Sequence, residues 1–313
     1  MGSLILNENM KLYRHWRTWV LIAMMLGAVL IGSILDWYYD SNAPADAWRD
    51  EIVEDNQRFT AMLNDPKTGP ENKAFAQERL AINEYRLAHD IQPTTSTIWS
   101  GINGCAELFI LITLFTVIVA GDSLASEFTT GTIKLLLIRP ASRLKILVSK
   151  YVSMLMFGVL LLVILFLASV LVNGLLYKFQ LMDLPLVDVD AAGQVVEKNM
   201  VANLWQTYLL NGVSTIIFVT MAFMISSAFR SSTMAIGFSI FALFAGTILT
   251  ELLQRYNWSK YLVFPNLDLS QYLSGRPYQE GMTLSFSVTM LAIYFVVFNL
   301  IAWQVFTRRD VAA

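Results

Sequence analysis

The sequence has little of what disulfide, metal and catalytic chemistry require. Its 313 residues include one cysteine, Cys105, which excludes an internal disulfide. The two histidines, His15 and His89, do not form a zinc-binding pattern. The Gly-x-x-x-x-Gly-Lys-Ser/Thr pattern that binds nucleotide phosphates is missing, as are the His-Glu-x-x-His and Gly-x-Ser-x-Gly patterns of hydrolases. We therefore expect no catalytic residue, metal or bound nucleotide in this chain, and nothing in it indicates nucleic-acid binding.

Charged residues are also scarce, at 15% of the chain, whereas soluble domains contain about 25%. Hydrophobic residues make up 56%, and several apolar runs exceed the roughly 18 residues that indicate a membrane-spanning helix. The sequence therefore predicts an all-α integral membrane protein with six transmembrane helices. The predicted spans are residues 18–35, 98–120, 146–177, 204–229, 233–253 and 283–306.

The distribution of charge predicts which segments face the cytoplasm. With these spans, the cytoplasmic segments contain eleven Lys and Arg residues against four Asp and Glu residues. The remainder of the chain contains eleven basic and twenty acidic residues. Because Lys and Arg resist translocation, both termini are predicted to be cytoplasmic. The alternative, that the first apolar run is a cleaved signal peptide, is disfavoured because residues 36–39 offer no small-x-small cleavage site.

These spans divide the chain into membrane, cytoplasmic and outer segments. Residues 46–63 and 71–90 each carry a narrow apolar stripe at helical spacing, and a turn signal separates them at residues 64–70. This pattern predicts an extracytoplasmic helical hairpin within residues 40–97, acting either as a passive spacer or in substrate gating. The other predicted segments are residues 1–39 (lead and first span), 121–145 (cytoplasmic), 178–203 (outer loop), 254–282 (outer re-entrant or interfacial pair of short helices) and 283–313 (last span and cytoplasmic tail).

Residues 121–145 form the long polar interruption that is rich in basic residues. Apolar residues from Ile133 to Ile138 surround a single Lys134, and Arg139-Pro140 follow them. Since proline cannot continue a helix, the pattern predicts a short amphipathic helix at the membrane surface that ends there. Glu127 is predicted to lie at or near the start of this helix. A plain basic loop is the alternative.

A spacing pattern in this stretch resembles that of the permease subunits of ABC-2 type (exporter) ABC transporters. The pattern is Glu127-x-x-x-Gly131-Thr132-x-x-x-Leu136-Leu137-x-x-Pro140-x-x-Arg143, followed by Lys150 at the start of a long apolar run. In that family the segment docks on a separate ATP-binding subunit. The resemblance implies that the ATPase-coupling residues are Glu127, Gly131, Thr132, Leu136, Pro140 and Arg143.

The resemblance also implies the partners and the function. An ABC ATP-binding subunit dimer would bind ATP and Mg, and a second permease copy or a related permease would complete the path through the lipid. The function would be export of an amphiphilic, lipid-like, peptide or drug substrate, as in antimicrobial or drug efflux. The protein would lie in the cytoplasmic membrane of a prokaryote.

Polar groups within the predicted spans are the remaining candidate site residues. Glu107, Asn211 and Glu251 are possible intramembrane polar sites. For the two acids the reason is that a charge at the bilayer centre costs about 2.5–3.5 kcal/mol and is retained mainly for function. Asn211 is uncharged and is explained as well by a hydrogen bond between helices. Both acids lie near outer span ends, where reaching the headgroups or pairing with a neighbour explains them as well. Alternatively, the chain is a non-transporting membrane sensor or assembly protein whose outer hairpin binds a ligand or partner. A channel or secondary carrier is a third class.

Overall fold

A computed structural model describes residues 1–41, 47–95, 97–133, 142–190, 193–229, 231–273, 275 and 277–308. Within these ranges the chain forms ten α-helices and one two-stranded antiparallel sheet. The helices are α1 (Gly2–Arg14), α2 (Trp16–Ser41), α3 (Ala47–Asn64), α4 (Pro70–His89), α5 (Ile98–Ala106), α6 (Phe109–Thr129), α7 (Arg143–Leu176), α8 (Met200–Ala228), α9 (Ser232–Leu253) and α10 (Leu284–Arg308). The strands are β1 (Leu186–Val189) and β2 (Val195–Lys198).

Six helical segments of the described chain are long and apolar enough to cross a membrane. They are Trp16–Asp40, Ile98–Thr129, Arg143–Leu176, Met200–Ala228, Ser232–Leu253 and Leu284–Arg308. The second segment contains both α5 and α6, which meet at Glu107 and Leu108. The predicted helical fold with six membrane-length helices is therefore confirmed.

Two boundaries differ from the prediction in ways that matter for the site. Residues 1–17 are not a simple lead, because α1 occupies Gly2–Arg14 and turns into α2 at His15. Helix α6 continues to Thr129, so it includes the first nine residues of the segment that we assigned to the cytoplasm. The predicted surface helix over 133–138 lies almost entirely outside the described residues, as do Leu136 and Pro140.

The chain divides into two compact units, and residues 1–27, 108–165 and 207–313 form the first. One apolar cluster in this unit joins α6, α7, α8 and α10 through Leu124, Tyr151, Phe223 and Phe306. A second cluster joins α8, α10 and the segment before α10 through Ile217, Val263, Leu267, Leu269 and Leu291. Burial of these side chains is what aligns the helices beside the site described below.

The segment between α9 and α10 contains three short 3₁₀ helices, Asn257–Tyr261, Phe264–Asn266 and Leu269–Tyr272. Asn266 is fully buried, and its side chain makes hydrogen bonds within this segment and to α10. Its amide donates to the carbonyl groups of Lys260 and Leu262 at 2.7 Å each, and its oxygen accepts from Ser287 at 2.6 Å. Irregular backbone inside a membrane protein needs such internal partners, so the amide stabilises this segment against α10.

The second unit contains residues 28–107 and 166–206. Helices α3 and α4 contact each other through the edge-to-face pair Phe59–Phe75, with ring centroids 6.0 Å apart, and through a 2.8 Å hydrogen bond from Asn83 to Asn56. The hydroxyl of Tyr85 on α4 donates to Glu197 on β2 at 3.1 Å. The small sheet, in a stretch for which we predicted only a loop, therefore packs against α4.

Candidate functional site

The site lies at the end of α6, and a glycine decides where that helix ends. Gly131 has a φ of +72°, a conformation that side chains disfavour, and its N–H donates to the carbonyl of Phe128 at 3.2 Å. Thr130 donates to the carbonyl of Ser126 at 2.9 Å. A glycine in this conformation just past the last residue is a common way for a helix to stop. Gly131 therefore reverses the chain and brings Thr132 back towards the helix.

Glu127 lies in the last turn of α6, so the prediction that it begins a helix is wrong. A carboxylate is electrostatically unfavourable at a helix C-terminus, where the backbone carbonyl groups carry partial negative charge. The side chain is nevertheless only 11% exposed. Its Oε1 lies 3.0 Å from Nζ of Lys150 and 3.3 Å from Nζ of Lys11, and its Oε2 accepts a hydrogen bond from Thr132. The two ammonium groups compensate the buried charge.

A second carboxylate completes what we call the charge cluster: Glu8, Lys11, Glu127 and Lys150. Lys150 Nζ lies 2.8 Å from Glu8 Oε2, and Lys11 Nζ lies 3.5 Å from Glu8 Oε1. The side chain of Lys150 is only 4% exposed, so it bridges two carboxylates almost out of contact with solvent. The cluster has two charges of each sign and joins α1, α6 and α7.

Neutral contacts hold α1 against α7 beside the cluster. Ser153 donates to the side-chain oxygen of Asn9 at 2.7 Å, and the Asn9 amide lies 3.4 Å from the sulfur of Met156. The rings of Tyr13 and Phe157 have centroids 6.5 Å apart. Since Asn9 is buried, α1 is a packed part of the first unit, and this contact fixes the positions of Glu8 and Lys11.

Asp122, one turn and a half before Glu127, makes a separate set of contacts. Arg17 on α2 approaches it at 3.1 Å, and Ser232 at the start of α9 donates a hydrogen bond to it. The backbone N–H of Ser232 also donates to Thr129 at 3.2 Å. A side chain at Gly121 would lie 3.3 Å from the backbone of Ile236, so the glycine permits the close approach of α6 and α9.

A cavity of about 510 Å³ lies between these elements of the first unit. Charged and hydroxyl side chains line one part of it, and apolar side chains from α1, α2, α6 and α7 line another. Its lining includes Glu8, Lys11, His15, Arg17, Asp122, Ser123, Ser126, Glu127, Thr130, Thr132 and Lys150, with Leu12, Leu21, Ile118, Val119 and Met154 as the apolar part. The end of α6 thus borders a partly polar, partly apolar space.

The structure brings together only Glu127, Gly131 and Thr132 of the residues that the sequence analysis assigned to coupling. Arg143 instead donates to the carbonyl of Thr307 at 2.8 Å, near the end of α10. Leu136 and Pro140 lie outside the described residues. The sequence analysis missed Glu8 and Lys11, because it treated residues 1–17 as a lead. It noted Lys150 only as the start of an apolar run.

The possible intramembrane polar sites do not line this cavity. Glu107 is exposed at the junction of α5 and α6, Glu251 is exposed near the end of α9, and Asn211 is half-buried on α8. Within the described chain, no group of three or more His, Cys, Asp or Glu side chains could hold a metal ion.

Two bacterial proteins are similar to this chain. The uncharacterized protein YhcI of Bacillus subtilis is 41% identical over 318 residues, covering 100% of both chains. The uncharacterized membrane protein YdbK of the same organism is 29% identical over 208 residues, covering 66% of this chain and 80% of that protein. Residues 74–312 match the family described as protein of unknown function (DUF2705).

These findings correct the family assignment made from the sequence. The assignment to ABC-2 permease subunits is wrong, because the chain matches a different family, DUF2705. Both similar proteins are described as uncharacterized, and neither is described as a permease. The geometry explains how the assignment arose. The spacing from Glu127 to Gly131 and Thr132 is that of a helix that ends at a glycine, after which the Thr132 hydroxyl donates to the Glu127 carboxylate. The chain belongs to the family described as protein of unknown function (DUF2705).

Proposed function

We propose that this chain is the membrane subunit of an ATP-driven transporter, and that a separate cytoplasmic partner hydrolyses the ATP. The observation that carries the proposal is the charge cluster, which connects the exposed turn after α6 to α1 and α7. Thr129, Thr130 and Gly131 are exposed in this turn and offer a surface to a partner. The chain has no phosphate-binding loop of its own, so ATP and Mg would be held by that partner.

The charge cluster would transmit a movement of the turn after α6 to α1 and α7, because its charged side chains cannot separate without loss of their ion pairs. Removing one member of a buried ion pair leaves an uncompensated charge, which costs about 3–5 kcal/mol. A partner that displaced the turn at Gly131 would therefore move Glu127 together with Lys150 and Glu8, and with them α7 and α1. The adjacent cavity has charged and apolar walls, so an amphiphilic substrate, moved outward, is the cargo class that we propose. A second copy or a related subunit would complete the path.

Co-purification and ATP hydrolysis test this proposal. We expect an ATP-binding protein encoded beside this chain to co-purify with it, and amphiphiles to stimulate ATP hydrolysis by the complex in lipid vesicles. Glu127→Gln should remove that stimulation while the complex still assembles, because it takes one carboxylate charge from the cluster. Glu54→Gln, an exposed partner of Arg58 on α3, is the control and should behave as wild type. Normal stimulation in Glu127→Gln, or substrate movement without nucleotide, would contradict the proposal.

The proposal also requires both termini and the turn after α6 to face the cytoplasm. In a Cys105→Ser background, cysteines placed at Asn64 and Asp188 should react with a membrane-impermeant thiol reagent in intact cells. Cysteines at Ser142 and Ser231 should react only after the cells are permeabilised. Labelling of Ser142 from outside would overturn this orientation, which rests on the excess of basic residues in the predicted cytoplasmic segments.

The second unit supports a membrane sensor as the alternative function. Arg86 on α4 has a buried Nε with no hydrogen-bond partner within the described chain, and burial lowers the pKa of its guanidinium. Arg86 is half-buried, and an unpaired N–H of its guanidinium favours an anionic ligand or partner group at this place. If the chain is a sensor, Arg86→Lys should weaken ligand binding relative to wild type, because lysine keeps the positive charge but lacks the planar set of N–H donors. It should leave ATP hydrolysis by a transporter complex unchanged.

A further inference from the structure

The cavity at the end of α6 offers unused hydrogen-bond donors, whereas its acids are already paired. Glu127 contacts Lys150, Lys11 and Thr132, and Asp122 contacts Arg17 and Ser232. Arg17 has five N–H donors and is 58% exposed, and Lys11 has three and is 43% exposed. Glu8, the third acid in the wall, contacts Lys150 and Lys11. Glu8 and Glu127 are each 11% exposed and Asp122 is 17% exposed, so the more exposed charged side chains of the wall are the cations Arg17 and Lys11.

One hydroxyl in the wall points to a ligand independently of the charges. Ser123 lines the cavity, and its Oγ is buried without a hydrogen-bond partner within the described residues. A buried polar group left unpaired costs free energy, so such groups nearly always have a partner. Rotation about the Cα–Cβ bond would turn this hydroxyl towards an acceptor bound in the cavity, and an anionic oxygen is the acceptor that the neighbouring cations also favour.

The cavity extends from the charged end of the helices into their apolar part. Ile118 and Val119 on α6 line it together with Leu21 on α2. Ile118 precedes Glu127 by nine residues, which is about 13 Å along a helix at 1.5 Å per residue. With the end of this helix at the membrane surface, the polar lining would lie at the depth of headgroups and the apolar lining at the depth of acyl chains.

We propose that this cavity binds an anionic phospholipid of the cytoplasmic leaflet. Arg17, Lys11 and the hydroxyl of Ser123 would bind the phosphate, and the first part of an acyl chain would lie against Leu21, Ile118 and Val119. A free phosphate would use only the polar half of the cavity, whereas an amphiphile uses both. The inference concerns the same cavity from which we proposed an amphiphilic cargo, and it rests on that proposal for the cytoplasmic orientation. It is tested by lipid binding alone, so a failure to bind lipid is distinguishable from a failure of ATP-driven transport.

Native mass spectrometry of the full chain in detergent tests the proposal. The chain is titrated with phosphatidylglycerol and, in parallel, with phosphatidylcholine of the same acyl chains. We expect phosphatidylglycerol to bind about tenfold more tightly, a ratio that corresponds to about 1.4 kcal/mol. Water-soluble glycerophosphoglycerol should compete poorly, because it lacks the acyl chains.

Three substitutions locate the binding. Arg17→Gln and Ile118→Trp should each weaken phosphatidylglycerol binding about tenfold, the first by removing a phosphate donor and the second by filling the apolar half. Ile110→Trp is the matched control on the exposed side of α6 and should bind as wild type. Thermal unfolding checks the fold of each variant, and Arg17→Gln carries the test if Ile118→Trp does not fold. Equal affinity for both lipids, unchanged binding in Arg17→Gln, or full competition by glycerophosphoglycerol would each overturn the proposal.

Discussion

Two clusters of polar side chains lie among the helices, and they differ in charge and in how completely their groups are paired. The charge cluster of the first unit pairs every ionised group, with Lys150 bridging Glu8 and Glu127. The neutral cluster of the second unit consists of Ser33 on α2, Cys105 on α5 and Asn173 on α7. The Cys105 sulfur lies 3.5 Å from the Ser33 hydroxyl and 3.7 Å from the Asn173 amide nitrogen, which also donates to the carbonyl of Ser169 at 2.9 Å.

The neutral cluster leaves one group unsatisfied. The side-chain oxygen of Asn173 is buried and accepts no hydrogen bond within the described part of the chain. A neutral amide can remain so at a cost of about 1–3 kcal/mol, whereas an unpaired buried charge costs about 3–5 kcal/mol. The difference indicates that losing a charged member costs the charge cluster more free energy of unfolding than the unpaired amide costs the neutral cluster, which is sensitive mainly to the space around it.

The largest expected effect is that of Lys150→Met. It leaves Glu8 and Glu127 with Lys11 as their remaining cation in the cluster, and Lys11 is partly exposed. We expect a loss of about 3–5 kcal/mol in the free energy of unfolding, measured by denaturant titration in detergent. Lys145→Met, at an exposed position one turn earlier on α7, should change it by less than about 0.5 kcal/mol. Similar values for both variants would mean that the cluster contributes no more than a surface charge.

Gly101→Ala tests the neutral cluster and should have a smaller effect. A Cβ atom at this position would lie 1.9 Å from the side-chain oxygen of Asn173, so the amide would have to move. We expect a loss of about 1–3 kcal/mol in the free energy of unfolding. Adding Asn173→Ala should restore most of that loss, because the clash disappears. Gly27→Ala on α2, where a Cβ would meet nothing within 4 Å, is the control and should not destabilise the chain.

Gly131→Ala should have the smallest effect on stability. Its φ of +72° is disfavoured for alanine, which predicts a loss of about 1 kcal/mol. No atom of the described residues beyond the two chain neighbours lies within 4 Å of the added Cβ, so the expected cost is that of the backbone conformation. Gly237→Ala on α9, which also has free space, is the control and should be neutral or stabilising. An unchanged unfolding free energy in Gly131→Ala would show that another feature ends α6.

The clusters also explain which parts of the site could be predicted. Glu127, Gly131 and Thr132 lie within six residues, so their association was visible in the sequence. The sequence did not show whether these residues begin or end a helix, because glycine and small polar residues occur at both helix starts and helix ends. We interpreted them as a start, and the long helix α6 makes them an end. The resemblance built on this spacing was misleading for the same reason.

The sequence by itself determined the helical fold and its six membrane-length segments. The length and apolar character of a run are properties of the chain, and the bilayer thickness relates them directly to a span. The tertiary structure decided the site. Lys150 and Glu8 are 142 positions apart, and Lys11 and Glu127 are 116 positions apart. Only the packing of α1 against α6 and α7 brings these charges together, because an ion pair between distant residues leaves no periodic pattern in the sequence.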